Sequence, residues 1–363
     1  MRIAVQGIGV TGGFGCGVDE FTQALLSGES RRGEITVPTA SGPVELSAFR
    51  ADTFRLEEFV PKRTLRRIDH YSRLGLLGAY LALADAEMLD ADKSRMGVIV
   101  ASGYGATATT FAFLDSIIND GDTCASPTHF ANSVHNSAAA NISILLGATG
   151  PSLTISQFHL SVPSALLTAQ QWLAEGRVDH VLFGAIDELS DLIGYAWYRQ
   201  RGSAKHSTMA PLQTGEESAV PGEGAAFFLL SRLEEDSCGY CAIEEITSGR
   251  SQGNAPLLPA AGLLILGADG RRELGSRYAE LATQARIACY TPLYGSMPAG
   301  PAFDLAAASL IIKKGTVFAT PGSAGCDIPA TVSRGGEQLG TAHVSCLTLA
   351  DDDGFGLVKM GRI

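Results

Sequence analysis

Gly150-Pro-Ser-Leu-Thr-Ile-Ser-Gln-Phe-His159 is the stretch on which the reading of this chain turns. A Gly-Pro-Ser turn leads into Leu153 to Ile155, a short strand. Ser164 to Ala174 follows as a helix. Pro163 suits an early helical turn, where its missing N–H leaves no hydrogen bond unmade. His159 stands at the start of that helix, next to a positive dipole end that lowers the pKa of an imidazole. Strand-like and helix-like segments alternate outward from this unit in both directions, which indicates α/β architecture.

Upstream, Ile3 to Gly7 reads as an apolar strand. Asp19 to Ser27 reads as a helix with Asp19 as its N-cap. Ile68 to Leu89 has helical apolar spacing, Met96 to Ser102 is a buried strand, and Ser137 to Leu146 is a helix rich in small residues. Downstream, His180 to Gly184 and Ala225 to Ser231 are strands. A polar break follows at Arg232-Leu-Glu-Glu-Asp-Ser-Cys-Gly239. Ala242 to Ile246 then opens a second series, with a strand at Leu263 to Leu266 and helices at Arg272 to Arg286 and Phe303 to Lys313. The seam falls near residues 232–240, which gives one half over 1–235 and a shorter one over 236–363.

With 363 residues, 45% hydrophobic and 18% charged, the chain can bury a large core behind a modest surface. Its net charge of −11 argues against nucleic acid or an anionic membrane as partner, since both reward a basic face. No apolar stretch of ~20 residues is present to span a bilayer. Leu257 to Leu266 is apolar but short, and Pro259 and Gly262 interrupt it. The start, Met1-Arg-Ile-Ala-Val-Gln, lacks the features of an export signal, and the 7 cysteines are odd in number and scattered. Reduced thiols in a cytoplasmic protein are the simplest reading.

No cofactor or metal is expected. Gly7-Ile-Gly-Val-Thr-Gly12 fits G-x-G-x-x-G, but the glycine run continues through Gly17 and no acidic residue closes a strand ~20 positions later. Cys238-Gly-Tyr-Cys241 lacks the second pair a structural zinc needs. His129 and His135 lack a carboxylate or Cys at ligand spacing. Asp351-Asp-Asp353 reads as a solvated surface turn.

Five further segments stand in order around Gly150-Pro-Ser. They are Arg66-Arg-Ile-Asp-His-Tyr-Ser-Arg-Leu-Gly-Leu76, Ser126-Pro-Thr-His-Phe-Ala-Asn-Ser-Val-His-Asn-Ser137, Val181-Leu-Phe-Gly-Ala185, Pro221-Gly-Glu-Gly-Ala-Ala226 and Asp353-Gly-Phe-Gly356. Together they resemble the motifs of β-ketoacyl synthases. The resemblance implies a thiolase-like fold: two related α/β halves in a five-layer α-β-α-β-α sandwich, here with the second half trimmed.

The same resemblance exposes departures. The family carries a nucleophilic Cys where this chain has His159. A thiolate can hold an acyl group, whereas an imidazole holds none stably. The family's first His follows a strand similar to Leu263-Leu-Ile-Leu-Gly-Ala-Asp-Gly270, which contains no His. Its second sits in a turn similar to Leu293-Tyr-Gly-Ser-Met-Pro-Ala-Gly300, with Tyr294 in the His position. The implied role is that of a chain-length-factor-like subunit, possessing no catalytic residue of its own. It would pair with an active β-ketoacyl synthase and shape a tunnel for a polyketide or polyene chain on acyl carrier protein. The trimmed second half is similar to the subunits of bacterial aryl polyene systems. Tyr104, Phe111 and Phe113 are candidates for the tunnel. Asn132, His135, Asn136, Leu153, Thr154 and Ile155 are candidates for the partner interface. Arg63, Arg66, Arg67 and Arg73 form a candidate basic patch for the carrier protein. Two other roles stay open: a thioester hydrolase or malonyl decarboxylase using His159 or Tyr294, and a carrier-binding scaffold with no chemistry.

Overall fold

The computed structural model describes residues 1–202, 208–215, 217–250, 258, 262–282, 285–323, 326–340 and 343–363. Leu257 and Pro259 of the short apolar run lie outside the described residues. The first half runs β1 (Ile3–Gly12), β2 (Gly15–Cys16), α1 (Val18–Ser27), β3 (Gly33–Val37), β4 (Val44–Ala48), α2 (Lys62–Leu65) and α3 (His70–Asp85). It continues β5 (Met96–Ala101), α4 (Thr107–Asp120), α5 (Pro127–Asn132), α6 (Ser137–Leu146), β6 (Ser152–Ile155), α7 (Ser161–Ala174), β7 (His180–Asp187), α8 (Asp191–Arg201) and β8 (Gly224–Arg232). The second half runs β9 (Cys241–Arg250), β10 (Leu263–Leu266), α9 (Arg272–Leu281), β11 (Arg286–Ala288), α10 (Gly300–Lys314), β12 (Thr331–Val332), β13 (Val344–Leu349) and β14 (Gly354–Gly361).

Strand order shows that the halves are related. The first half is ordered β1-β8-β7-β5-β6, the second β9-β14-β13-β10-β11, with β12 beyond. In each, the first two neighbours pair antiparallel and the remaining ones parallel. The two sheets join where β1 meets β9, with Ile3 opposite Ile243 and Val5 opposite Cys241.

Alternation along the strands builds the layers, because successive side chains point to opposite faces. Ala226, Phe228 and Leu230 of β8 enter one core, while Ala225, Phe227 and Leu229 enter another. The shared core also takes Leu263 and Ile265 of β10, together with α7 and α10, so those two helices lie between the sheets. Helices α3 and α6 cover the outer face of the first sheet. Helix α9 covers the outer face of the second, with Leu264, Leu266 and Leu347 beneath it. The result is the five-layer α-β-α-β-α arrangement.

Several local expectations need correction. The first strand, expected to end at Gly7, runs on through Gly9 to Gly12. A Cβ on Gly9 would fall 2.1 Å from the Gly78 carbonyl oxygen and one on Gly7 2.4 Å from that of Ala82, so these two glycines let α3 press against the strand. The cap of α1 is Gly17, and Asp19 lies in the first turn. Asp69 caps α3 by accepting from the Ser72 N–H, which starts that helix after Ile68. Helix α9 stops at Leu281, and Arg286 already belongs to β11. Among the described residues no helix is long and apolar enough to cross a membrane.

Candidate functional site

His159 sits in a single 3-10 turn, Phe158–Leu160, between β6 and α7. Phe158 has φ 46°, a left-handed conformation that a bulky side chain rarely adopts. The Ser161 hydroxyl pins this turn: it accepts from the Gln157 N–H at 2.7 Å and donates to the Phe158 carbonyl at 2.7 Å. The turn aims the imidazole at a cavity of ≈ 240 Å³ that Tyr104, Trp197, Arg271, Ser296 and Asp351 also line.

Arg271 organises the cavity. Its Nη2 donates to His159 Nε2 at 2.9 Å, its Nε to Asp269 at 2.8 Å, and its Nη1 to Asp351 at 3.1 Å. Ser296 Oγ donates to the same oxygen of Asp269, Oδ2, that accepts the 2.8 Å bond from Arg271 Nε. Burial, and then the adjacent guanidinium, pushes the His159 imidazole down to about 4. The ring is therefore neutral at pH 7, with Nε2 accepting and the proton on Nδ1. Burial alone would raise Asp269, but its neighbours, Arg271 first, more than reverse that and hold the carboxylate below its usual range. Nucleophilic or base catalysis needs a free lone pair at the reacting atom. Here the Nε2 lone pair is taken by a guanidinium, and no thiol lines the cavity among the described residues.

Asp187 fixes the cavity wall. It is fully buried and accepts from the Ser102 hydroxyl and from the N–H groups of Gly103, Tyr104 and Ala299, all within 3.0 Å. Burial raises this carboxyl to about 6 despite those four donors. It ties the β5–α4 loop of one half to the start of α10 in the other.

The sequence reading put Tyr294 in the site, and the structure does not. Tyr294 is fully buried, donates to Asp304 at 2.6 Å and stacks on Phe303 at 4.8 Å. Gly295, at φ 85°, turns the chain so that Ser296 faces His159's cavity instead. Ser296 lines that cavity and bonds to Asp269, which lies within the Leu263–Gly270 segment. The Asp351–Asp353 run is also not simply solvated. Asp351 pairs with Arg271, Asp352 with Arg250 and Asp353 with Arg277. Arg271, Ser296 and Asp351 were missed because they arrive from three separate loops. Of the cavity's partners, Asp269 and Ser296 lie in segments that the sequence reading singles out, Leu263 to Gly270 and Leu293 to Gly300.

The three tunnel candidates do not converge. Tyr104 lines the His159 cavity. Phe111, on α4, lines a different pocket. Phe113 packs against Phe130 at 5.4 Å. The interface candidates do come together. Among the described residues β6 pairs only with β5, which leaves its other edge open. Leu153 is 39% exposed, Thr154 and Ile155 are half-buried, and Thr154 Oγ1 is buried with no hydrogen-bond partner among the described residues. Asn136 shares a groove with Leu153 and Thr154, and His135 is exposed beside it. Asn132 donates to the Arg67 carbonyl at 3.0 Å, which joins this region to the basic segment. Arg63, Arg66 and Arg67 are exposed. Arg73 turns inward to the Leu65 carbonyl at 2.6 Å and leaves that patch.

Comparison with known proteins adds the following. Residues 1–236 match the family model described as β-ketoacyl synthase, N-terminal domain. The 3-oxoacyl-[acyl-carrier-protein] synthase 2 of Vibrio harveyi is 25% identical over 241 residues, 64% of this chain and 58% of that protein. The matched stretch therefore spans little more than half the length of that curated relative. A solved structure titled the ishigamide ketosynthase/chain length factor matches with TM-score 0.81 and 17% identity, over 100% of this chain and 99% of that one. A type II polyketide acyl-carrier protein in complex with its ketosynthase bound to the hexaketide matches with TM-score 0.80 and 18% identity, over 100% and 99%. At these identities the likeness carries the fold, which is thiolase-like.

Proposed function

We propose, from the premise that this chain belongs to the β-ketoacyl synthase family, that it is a non-condensing, chain-length-factor-like subunit. The observation that carries this reading is the bond from Arg271 to His159 Nε2 at 2.9 Å. It occupies the one lone pair that stands where the family holds its nucleophile. An active β-ketoacyl synthase is the partner this reading requires. The open edge of β6, beside the site, is the surface on which such a partner would pair. The buried, unpartnered Thr154 hydroxyl on that edge supports it, since buried polar groups normally find a hydrogen bond. Acyl carrier protein, which is acidic in this reading, would meet Arg63, Arg66 and Arg67. Residues 1–235 and 236–363 are the two halves, the cell compartment is the cytoplasm, and the aryl polyene type of system is the proposed setting.

Hydrolysis or decarboxylation is less well supported. Tyr294 is sealed in the core, and His159 has no free lone pair at Nε2. The test is co-expression with a β-ketoacyl synthase that carries Cys and both His residues. A one-to-one complex is expected, with acyl groups found by intact-protein mass spectrometry only on the partner. Stoichiometric acylation of this chain, or its failure to co-purify with any such synthase, would overturn the reading.

A further inference from the structure

A second pocket, of ≈ 750 Å³, opens between α4, α8 and the residues following β3, away from the His159 cavity. Its walls are apolar, with Phe111, Leu192 and Tyr195 among them. Glu188, Arg50 and His70 line its polar end. This volume lies within the ~300–1,000 Å³ of ordinary small-molecule sites.

The polar end selects among ligands. Glu188 is 2% exposed. Its Oε1 accepts from the Ala108 N–H at 2.8 Å and the Thr107 hydroxyl at 3.3 Å. Its Oε2 makes no hydrogen bond among the described residues. Glu188 lines the pocket, so a donor that enters the pocket can reach this oxygen in place of water. The two cations at this end are already engaged. Arg50 donates to Glu223 at 2.9 Å and to the Leu189 carbonyl at 3.1 Å, and His70 contacts Glu223 at 3.2 Å. Asp115 and Asp191 also line the pocket. An anionic head group would meet the carboxylates of Glu188, Asp115 and Asp191, while both cations lining this end among the described residues are already paired with Glu223.

We propose that this pocket binds a neutral amphiphile: an apolar chain or ring ending in a hydroxyl that donates to Glu188 Oε2. The ligand has two possible sources, a free alcohol or the hydroxylated end of a carrier-bound acyl chain. The first does not rest on the subunit reading above, and the second does.

The test is titration calorimetry of the full chain with 1-octanol and with octanoate at pH 8. Octanol is expected to bind saturably, and octanoate at least tenfold more weakly. Ala112→Trp narrows the pocket from α4 without touching Glu188, and should weaken octanol at least tenfold. Glu188→Gln, isosteric but uncharged, should shrink the preference for octanol over octanoate severalfold. An absence of saturable octanol binding, equal binding of octanoate, or unchanged affinity in Ala112→Trp would each overturn the site. A second arm uses the chain with its synthase and an ω-hydroxyoctanoyl carrier protein. Displacement of octanol assigns the chain end as ligand, and retention assigns the free alcohol. Failure of the synthase to associate removes only this arm and leaves the calorimetry of the chain alone to decide the site.

Discussion

At position 159 an imidazole stands where, in the proposed reading, an acyl group would need a thiol, and Arg271 holds that imidazole in a cavity that no thiol lines among the described residues. Supplying the thiol alone should fail. In His159→Cys no imidazole lines the cavity among the described residues, so none is there to polarise a thioester carbonyl. We predict no condensation by this variant with acyl and malonyl thioesters, read by product mass spectrometry. Measurable turnover would show that such an imidazole is not needed. The imidazole also makes stability depend on pH. Its folded pKa is about 4, against 6.5 unperturbed, so the unfolded chain takes up the proton first. The contribution of neutral His159 is full above about pH 6.5 and is lost as the pH falls toward 4, by roughly 3 kcal/mol. Denaturant unfolding at pH 7 and pH 4.5 should show a smaller loss in His159→Asn than in the parent chain; equal losses would mean that this ring does not titrate on unfolding. His159 was legible in sequence because it ends a contiguous motif. Its partners were not, because Arg271, Ser296 and Asp351 meet it only through folding, and an Arg or Asp in a loop carries no local sign of where it will point.

Strand β6 shows how an element is read and where reading stops. Its apolar centre at Leu153 to Ile155 marked it as a strand. Continuous apolar runs exposed most of the others, since β5, β7, β8, β10 and β13 bury side chains on both faces. Helices α4 and α8 were not assigned, because burial falls mostly on other elements: Thr109 alone is buried in α4, and Gly194 and Trp197 in α8. Sheet position gives β6 a testable role. The Pro151 and Ile155 carbonyls accept from Val98 and Ser102, so the backbone groups of Ser152 and Thr154 face away from the sheet. Thr154→Pro removes an outward N–H and no bond to β5. The variant should keep the melting temperature of the parent chain within a few degrees and lose the complex with a synthase on size-exclusion chromatography. Retention of the complex would move the interface elsewhere. On α4, Phe111 is 42% exposed, so Phe111→Ala should cost only about 1 kcal/mol of stability. In an intact complex it should alter the length of the product if this helix borders the shared tunnel, and an unchanged product would remove Phe111 from the wall.

Across the whole molecule, apolar exposure is concentrated in one run of elements. Phe111, Leu114 and Ile118 of α4, Phe130 of α5, Val134, Ile144 of α6, Leu153 of β6 and Phe158 beside it are all at least 39% exposed. They occupy residues 111–158 of the first half, the segment that ends on the unpaired sheet edge. The second half has no comparable run: among its described residues only Ile363, at the C-terminus, appears with the exposed large apolar side chains. A second strand series was legible from sequence, but the matching strand order of the halves was not, because pairing between strands distant in sequence leaves no local pattern. The asymmetry between the halves is of the same kind. An uncovered apolar face beside an open edge favours association. The net charge of −11 opposes it through long-range repulsion, which salt screens within ~8–10 Å. The chain alone is therefore expected to self-associate at micromolar concentration, and more so as salt is raised from 0.05 to about 0.5 M. With its synthase partner covering the face, one heterodimeric species should persist at both salt concentrations. Multi-angle light scattering distinguishes these states directly. A monomer that stays monodisperse at high salt, and forms no complex on mixing, would show that this face needs no cover and that the pairing role is wrong.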